Sequence, residues 1–202
     1  HTDDAELGCG GAISRWVRSG NLVRILHLSD TSNIFGSSHG SQLRAEACRA
    51  GEALGLQRDQ IEFANFPTRH FSEVRQQVLD YLIAEGEAWK PDVIIGPDVS
   101  DTHQDHQVVA NEISRAYKSK SVLRFDTYWN LLHQSPEMVV ELAEEDVNRK
   151  IIALKNYTSQ SLRNYMDEEV IRSQARIRGL PRGFHFAEAF AVSQVTLGLV
   201  SK

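Results

Sequence analysis

The chain has 202 residues, 41% of them hydrophobic, and it carries 22 Lys+Arg against 27 Asp+Glu for a formal net charge of -5. This composition suits one domain over residues 1–202 and excludes a disordered or collagen-like chain. The sequence has no basic cluster and no long uncharged apolar run, which argues against nucleic-acid binding and membrane insertion. Two cysteines are too few for a disulfide framework, so we expect a cytoplasmic protein. Because there is no basic cluster, we expect its partner to be a small molecule.

The first half of the chain alternates helix-like and strand-like patterns. An apolar face predicts a helix over 5–18, with Asp3 or Asp4 available as its N-cap. Because this helix lacks the strand that would normally precede it, we expect a first strand upstream of residue 1. The next predicted elements are strand 22–28, loop 29–41, helix 43–54, strand 61–66, helix 74–82 and strand 92–96.

The second half continues the alternation after a polar loop at 97–104. Its predicted elements are helix 105–116, strand 121–126, strand 138–142, helix 147–154, helix 167–178 and strand 184–192. This pattern predicts an α/β, Rossmann-like fold with a mostly parallel sheet and helices on both faces. Ligands of such sheets bind beyond the carboxyl ends of the strands, so the chain start and the loop at 97–104 are the candidate site.

Both candidate segments are rich in histidine and aspartate. The chain opens on His1-Thr2-Asp3-Asp4, and the second loop contains Thr102-His103-Gln104-Asp105-His106. Catalytic zinc usually takes three protein ligands and leaves a position open for water, which imidazole and carboxylate groups from two turns can supply. Taken alone, these short segments also fit helix caps and polar surface residues.

The segment HTDDAELGCGGAI resembles the opening motif of the LmbE/PIG-L family of zinc-dependent N-deacetylases, usually His-Pro-Asp-Asp-x-Glu, with Thr2 in place of the proline. The second motif of the family, His-x-Asp-His after a strand, is matched by His103, Asp105 and His106. Lesser matches are RAEACRAGEALG (44–55), KNYTSQ (155–160) and AEAF (187–190). The resemblance therefore covers almost the whole chain, with both main motifs in the expected order.

The resemblance implies that His1, Asp4 and His106 are the metal ligands. It implies Zn²⁺ as the cofactor, although two histidines and one carboxylate also suit Fe²⁺ or another divalent ion. It assigns Asp3 as the general base that takes a proton from the attacking water.

The resemblance also implies roles for two further residues of the second motif. His103 would stabilise the oxyanion of the tetrahedral intermediate, and Asp105 would hold a histidine in orientation. For Asp105, an N-cap of the following helix is an equal alternative. Glu6 fits a capping or helix-dipole role better than a role beside the metal, and Glu188 fits a core or edge position better than the site.

Polar residues on other strand-end loops are the candidates for substrate contact, namely Arg44, Asn65 and Arg69, although Arg44 equally suits a solvated helix start. The expected function is removal of the N-acetyl group from an N-acetylglucosamine-type conjugate, releasing acetate and an amine. One alternative is an amidase of the same family acting on a thiol-sugar conjugate. Asp101 disfavours it, because the branch of the family with such substrates often has an aromatic residue at this position. The other alternative is a non-catalytic sugar-binding module. A homo-oligomer is compatible with the sequence.

Overall fold

The structure, a computed structural model, describes residues 1–125, 127–130 and 136–196. These residues divide into two compact units. The first unit contains His1–Thr68 and Val139–Ala189, and the second contains the described residues of Arg69–Met138 and Phe190–Lys202. Within the described ranges, no helix is both long and apolar enough to cross a membrane.

Helices and strands alternate through most of the described chain. The helices are α1 (Asp4–Arg18), α2 (Ser32–Phe35), α3 (Ser37–Leu54), α4 (Arg75–Trp89), α5 (Gln104–Ala116), α6 (Glu144–Lys155) and α7 (Glu168–Gly179). The strands are β1 (Ile25–His27), β2 (Ile61–Phe63), β3 (Val93–Pro97), β4 (Ser121–Phe125), β5 (Met138–Leu142) and β6 (Phe186–Gln194).

The strands form two sheets. In the smaller sheet, β1 and β2 are parallel, with Ile25 opposite Ile61. The larger sheet has the order β3-β4-β6-β5, in which β3 and β4 are parallel and β4 and β6 are antiparallel. The predicted α/β class is confirmed, but the prediction of a mostly parallel sheet is not, because the larger sheet is mixed. An apolar run predicts a buried strand without stating its direction, so β6 could not be oriented from its residues.

The core of the first unit lies between α1, α3 and α6. Leu7 and Ile13 of α1 and Ile151 of α6 are buried there. Full burial of a leucine or isoleucine side chain stabilises the fold by about 1.5–3 kcal/mol, so these helix faces hold the first turn of α1 against the unit.

The core of the second unit lies between the parallel pair β3–β4 and the helices α4 and α5. The buried guanidinium of Arg124 donates hydrogen bonds to the carbonyl oxygens of Pro97, at 3.3 Å, and Ala110, at 3.0 Å. Since Pro97 ends β3 and Ala110 lies in α5, these contacts anchor both ends of the loop that carries the second predicted motif.

Most of the predicted elements are present, with shifted boundaries. The largest difference is the predicted loop 29–41, which contains α2 and the first residues of α3. Serine and glycine are typical of loops, but here the helix begins within the polar segment and continues into the apolar face predicted for 43–54. The last residue of predicted strand 121–126, Asp126, lies outside the described residues.

Candidate functional site

The first predicted motif lies at the start of α1 in the first unit. Asp3 is the N-cap residue of the helix and Asp4 its first residue. Potential ligand atoms of the His1 and Asp4 side chains lie within 4.8 Å of each other, so these two predicted metal ligands lie together. The partial positive charge of a helix N-terminus favours carboxylates at this position, and the side chain of Asp3 is buried.

A residue in the segment that follows α6 holds the backbone of this motif in place. The hydroxyl of Tyr157 donates a hydrogen bond to the carbonyl oxygen of Thr2, and both residues are buried. Burial raises the pKa of Tyr157 well above its ordinary value, so its hydroxyl stays protonated and remains a donor. Tyr157 therefore fixes the residue between His1 and Asp3.

The Tyr157 segment is in turn held by α3. The buried carboxylate of Glu46 accepts hydrogen bonds from the hydroxyl of Thr158, at 2.7 Å, and from the backbone N–H and hydroxyl of Ser159, at 3.1 and 2.5 Å. Although burial alone would raise the pKa of Glu46, these hydrogen bonds lower it below its ordinary value. The segments of two minor sequence matches, 44–55 and 155–160, are thus hydrogen-bonded to each other, and together they stabilise the backbone of the opening motif.

Glu6, the acidic residue of the first motif, is fully buried. Burial raises its pKa to about 8, so the carboxyl group is largely neutral at pH 7. A neutral carboxyl group interacts only weakly with the helix dipole, so it does not have the helix-dipole role that the sequence favoured for Glu6. The structure instead places Glu6 in the interior of the unit.

A break in α1 separates the turn that carries the motif from the rest of the helix. Cys9 has non-helical angles (φ -147°, ψ 22°), and the backbone groups on either side of it bind two buried side chains. Glu188 accepts hydrogen bonds from the N–H groups of Gly11, at 3.0 Å, and Ala12, at 2.6 Å. Lys150 Nζ donates to Glu188 Oε1 and to the carbonyl oxygen of Leu7, both at 2.6 Å. The core position predicted for Glu188 is confirmed.

The second predicted motif lies in the second unit, around the start of α5. Asp101 Oδ2 accepts a hydrogen bond from Nδ1 of His106 at 2.7 Å, and its Oδ1 accepts one from the backbone N–H of His103 at 2.7 Å. Although burial alone would raise the pKa of Asp101, the hydrogen bonds from His106 and Thr127 lower it, so Asp101 is ionised and acts only as an acceptor. Nδ1 of His106 therefore carries its proton, and the lone pair of the neutral ring is on Nε2.

The carboxylate of Asp105 accepts two backbone hydrogen bonds from a neighbouring loop. Its Oδ2 accepts the backbone N–H of Arg69 at 2.6 Å, and its Oδ1 accepts that of Phe71 at 3.4 Å. The carboxylate that orients a histidine is Asp101, and the N-cap of α5 is His103. The N-cap alternative for Asp105 is therefore corrected, while its role toward a histidine stays a prediction. Its carboxylate holds a neighbouring loop, in which Arg69 has a left-handed backbone with φ 70°.

The side chain of His103 has a defined hydrogen-bonding arrangement. Its Nδ1 accepts the backbone N–H of Asp105 at 3.2 Å, which places the proton of the neutral ring on Nε2. The rings of His103 and His106 lie side by side, with centroids 4.7 Å apart. His103 can therefore donate a hydrogen bond from Nε2 beside the predicted metal ligand His106.

The three candidates for substrate contact lie in two places. In the first unit, Arg44 Nε donates to Asp30 at 2.5 Å, and Asn65 Oδ1 accepts the hydroxyl of Ser32 at 3.4 Å. Asp30 also accepts the N–H of Ser32 at 3.0 Å, so Arg44 and Asn65 belong to one chain of hydrogen bonds. Arg69 is exposed in the second unit.

Sequence reasoning missed three residues of these clusters, Asp30, Ser32 and Asp101. Asp30 and Ser32 lie in the polar segment after β1, and Asp101 lies in the loop after β3. Their position beyond the carboxyl ends of strands was the available signal. Their partners could not be assigned without the folded chain.

Comparisons with known proteins identify a matching family and solved structures of similar fold. Residues 1–117 match the family model PIG-L, GlcNAc-PI de-N-acetylase, which covers both motifs and more than half of the chain. Among solved structures, the conserved protein TT1542 from Thermus thermophilus is 24% identical with a TM-score of 0.82, covering 100% of this chain and 95% of that chain.

Two further structures of the same fold carry different activities. The N,N'-diacetylchitobiose deacetylase from Pyrococcus horikoshii is 18% identical with a TM-score of 0.71, covering 95% of this chain and 80% of that one. GalB, the 4-carboxy-2-hydroxymuconate hydratase from Pseudomonas putida, is 17% identical with a TM-score of 0.77, covering 99% and 96%. The fold alone therefore does not define the reaction. The family match does define the lineage, and the chain belongs to the PIG-L family of GlcNAc-PI de-N-acetylases.

Proposed function

We propose that this protein is a metal-dependent N-deacetylase that hydrolyses the acetamide of an N-acetylglucosamine-type sugar conjugate and releases acetate and an amine. The observation that carries this proposal is the hydrogen bond between Asp101 and His106, because metal-binding histidines commonly donate their other ring N–H to a carboxylate. Membership of the de-N-acetylase family supports the reaction class.

The proposed metal ligands are His1, Asp4 and His106, which offer two imidazole nitrogens and one carboxylate oxygen. This donor set fits Zn²⁺ in a hydrolase and also suits Fe²⁺. Asp101 supports the assignment because it leaves the lone pair of His106 on Nε2, the form of the ring that binds a metal. A divalent cation held there would polarise the amide carbonyl and lower the pKa of water towards about 7.

Asp3 is the proposed general base. It takes a proton from the attacking water and returns it to the leaving amine, which needs a carboxylate that is ionised in the resting enzyme. The helix N-terminus beside Asp3 favours the ionised form. Tyr157 keeps the backbone of Thr2 in place, so that Asp3 stays in a fixed position during both proton transfers.

His103 is the proposed donor to the oxyanion. Its Nε2–H would donate to the former carbonyl oxygen of the amide as negative charge develops there. A single donor of this kind contributes about 3 kcal/mol to stabilising a transition state. Asp105 then acts indirectly, because its backbone N–H fixes the tautomer of His103 and its carboxylate holds the loop at Arg69.

Arg44, Asn65 and Arg69 are the proposed contacts to the sugar. A bound cation would polarise the acetamide whatever the amine carries, so the residues around it must discriminate between conjugates. Asn65→Ala and Arg69→Ala should lower kcat/KM while leaving the metal content unchanged. Arg182→Ala, an exposed arginine in the turn after α7, is the matched control and should behave as the wild type.

The test is acetate release by the purified protein loaded with Zn²⁺ or, under anaerobic conditions, Fe²⁺. The panel contains N-acetylglucosamine, its methyl glycoside, N,N'-diacetylchitobiose, a nucleotide-linked N-acetylglucosamine and an N-acetylated thiol glycoside. Release from at least one sugar without a thiol is expected, and release from the thiol glycoside alone would favour the amidase alternative. Binding without release would indicate a sugar-binding module, and turnover of 4-carboxy-2-hydroxymuconate in place of every N-acetylated compound would indicate a hydratase.

A further inference from the structure

The segment Thr127–Asn130 is attached at both ends to the loop that carries the second motif. At one end, the hydroxyl of Thr127 donates to Oδ2 of Asp101 at 2.6 Å, the same oxygen that accepts from His106. At the other end, the carbonyl oxygen of Asn130 accepts the backbone N–H of Thr102 at 3.0 Å. A hydrogen bond of 2.8 Å from the N–H of Asn130 to the carbonyl oxygen of Thr127 closes the turn between them.

Trp129 lies inside this closed turn. Its neighbour in sequence, Asn130, contacts Thr102, and Thr102 directly precedes His103. Consecutive Cα atoms lie about 3.8 Å apart, so the backbone of Trp129 is held within a few Cα–Cα spacings of His103. The side chain of Trp129 is nevertheless 42% exposed, whereas Thr127 in the same turn is only 1% exposed. The turn thus holds a partly exposed indole near the loop that carries a proposed catalytic group.

An indole presented in this way suits a particular class of ligand. Sites for small molecules combine apolar and aromatic walls with a few polar groups that fix orientation. A pyranose ring has a face of C–H groups that packs against an aromatic ring, while its hydroxyls bind polar side chains. Two fixed ends also mean that little entropy is lost when the turn receives a ligand.

We propose that Trp129 is a specificity-determining residue, a platform on which the pyranose ring of the substrate packs. This inference rests on the proposed function, since it assigns the sugar of that reaction to the Trp129 side of His103. It predicts that Trp129 acts on binding of the sugar and leaves the metal and the chemical step unaffected.

The kinetic test compares Trp129→Ala, Trp129→Tyr and Trp89→Ala in the metal-loaded protein. Trp89, at the end of α4, is 38% exposed and is the matched control. Loss of an aromatic contact of about 1.4 kcal/mol should raise KM about tenfold in Trp129→Ala, with kcat and metal content unchanged. Trp129→Tyr should restore most of the affinity, and Trp89→Ala should match the wild type. An unchanged KM in Trp129→Ala, or loss of its metal, would overturn the proposal.

A binding test separates this inference from the proposed function. Glucosamine, the deacetylated sugar, cannot be turned over, and its binding should change the tryptophan fluorescence of the wild type and of Trp89→Phe but not of Trp129→Tyr. Acetate release by the wild type together with an equal fluorescence change in Trp129→Tyr would refute the platform and leave the deacetylase proposal standing. A fluorescence change that depends on Trp129, in a protein that releases no acetate, would support the platform and refute the deacetylase proposal.

Discussion

The carboxylate of Asp101 and the imidazole of His106 form a buried hydrogen bond of 2.7 Å between Oδ2 and Nδ1. Both residues belong to the second unit, and the bond joins the loop after β3 to the first turns of α5. It fixes the tautomer and the direction of the ring that we propose as a metal ligand.

The first prediction follows from this bond. Asp101→Asn removes the negative charge opposite Nδ1 while keeping the shape of the side chain, so the affinity for Zn²⁺ should fall about 10–100-fold. Competition with a chromophoric chelator measures this affinity. Asp98→Asn is the matched control, because Asp98 lies in the same loop and accepts hydrogen bonds from Ser100. Equal affinity in Asp101→Asn and Asp98→Asn would show that Asp101 does not position a ligand.

The second prediction concerns the ligands themselves. His106→Ala and Asp4→Ala should each lose at least about tenfold in metal affinity, since a site with three protein ligands holds its ion weakly after losing one. Metal analysis of the dialysed proteins provides the measurement. His70→Ala, which removes an exposed histidine that pairs with Glu73, should keep the metal content of the wild type. Full occupancy in both ligand variants would exclude the assignment.

The third prediction separates the base from the ligands. Asp3→Asn should retain the metal and lose at least about 100-fold in turnover, because the amide cannot accept the proton of the attacking water. His103→Ala should likewise keep the metal and lose rate. Parallel metal analysis and acetate-release kinetics distinguish the two functions. Loss of metal in Asp3→Asn would place Asp3 among the ligands, and a wild-type rate in His103→Ala would remove its role at the oxyanion.

The fourth prediction concerns the ion pair at the break in α1. Lys150→Met leaves the buried carboxylate of Glu188 without its cation and should lower the free energy of unfolding by about 3–5 kcal/mol. The double variant Lys150→Met/Glu188→Gln should be more stable than the sum of the single changes implies, because both buried charges are then removed. Urea unfolding measures both effects. Lys155→Met, which breaks the exposed pair with Glu168, is the control and should change stability little. Additive single changes would contradict a coupled pair.

The fifth prediction is a pH dependence of stability. Burial lowers the pKa of His27 to about 3. The unfolded chain, with an ordinary histidine pKa of about 6.5, therefore binds a proton first as the pH falls, and the folded state is disfavoured below that pH. At pH 5 this single group should cost about 2 kcal/mol relative to pH 7.5.

The control for this prediction is His27→Phe, which preserves a ring in the position where His27 stacks on Phe63 with a centroid distance of 5.0 Å. Urea unfolding of both proteins at pH 7.5 and pH 5 gives the comparison, in which other titrating groups contribute equally. The wild type should lose about 2 kcal/mol more than the variant between the two pH values. Parallel losses would show that His27 accepts a proton in the folded state.

The sequence was sufficient where the relevant information is local. The helix over 5–18, the strand 138–142 and the charged helix 167–178 follow from local residue patterns, and the structure has α1, β5 and α7 there. The two His/Asp motifs also revealed the family, because residue types in a short order are a local property. Their placement at a helix start and between a strand and a helix follows from the same patterns.

Only the tertiary structure decided which of these residues contact each other. Asp105 is adjacent to His106 in sequence, yet Asp101 holds that ring, because the loop after β3 folds back over the start of α5. Likewise, Lys150 and Glu188 are 38 residues apart and meet across the break at Cys9. Hydrogen bonds and ion pairs between distant residues depend on how helices and strands pack, and that packing is a property of the whole chain that no local pattern contains.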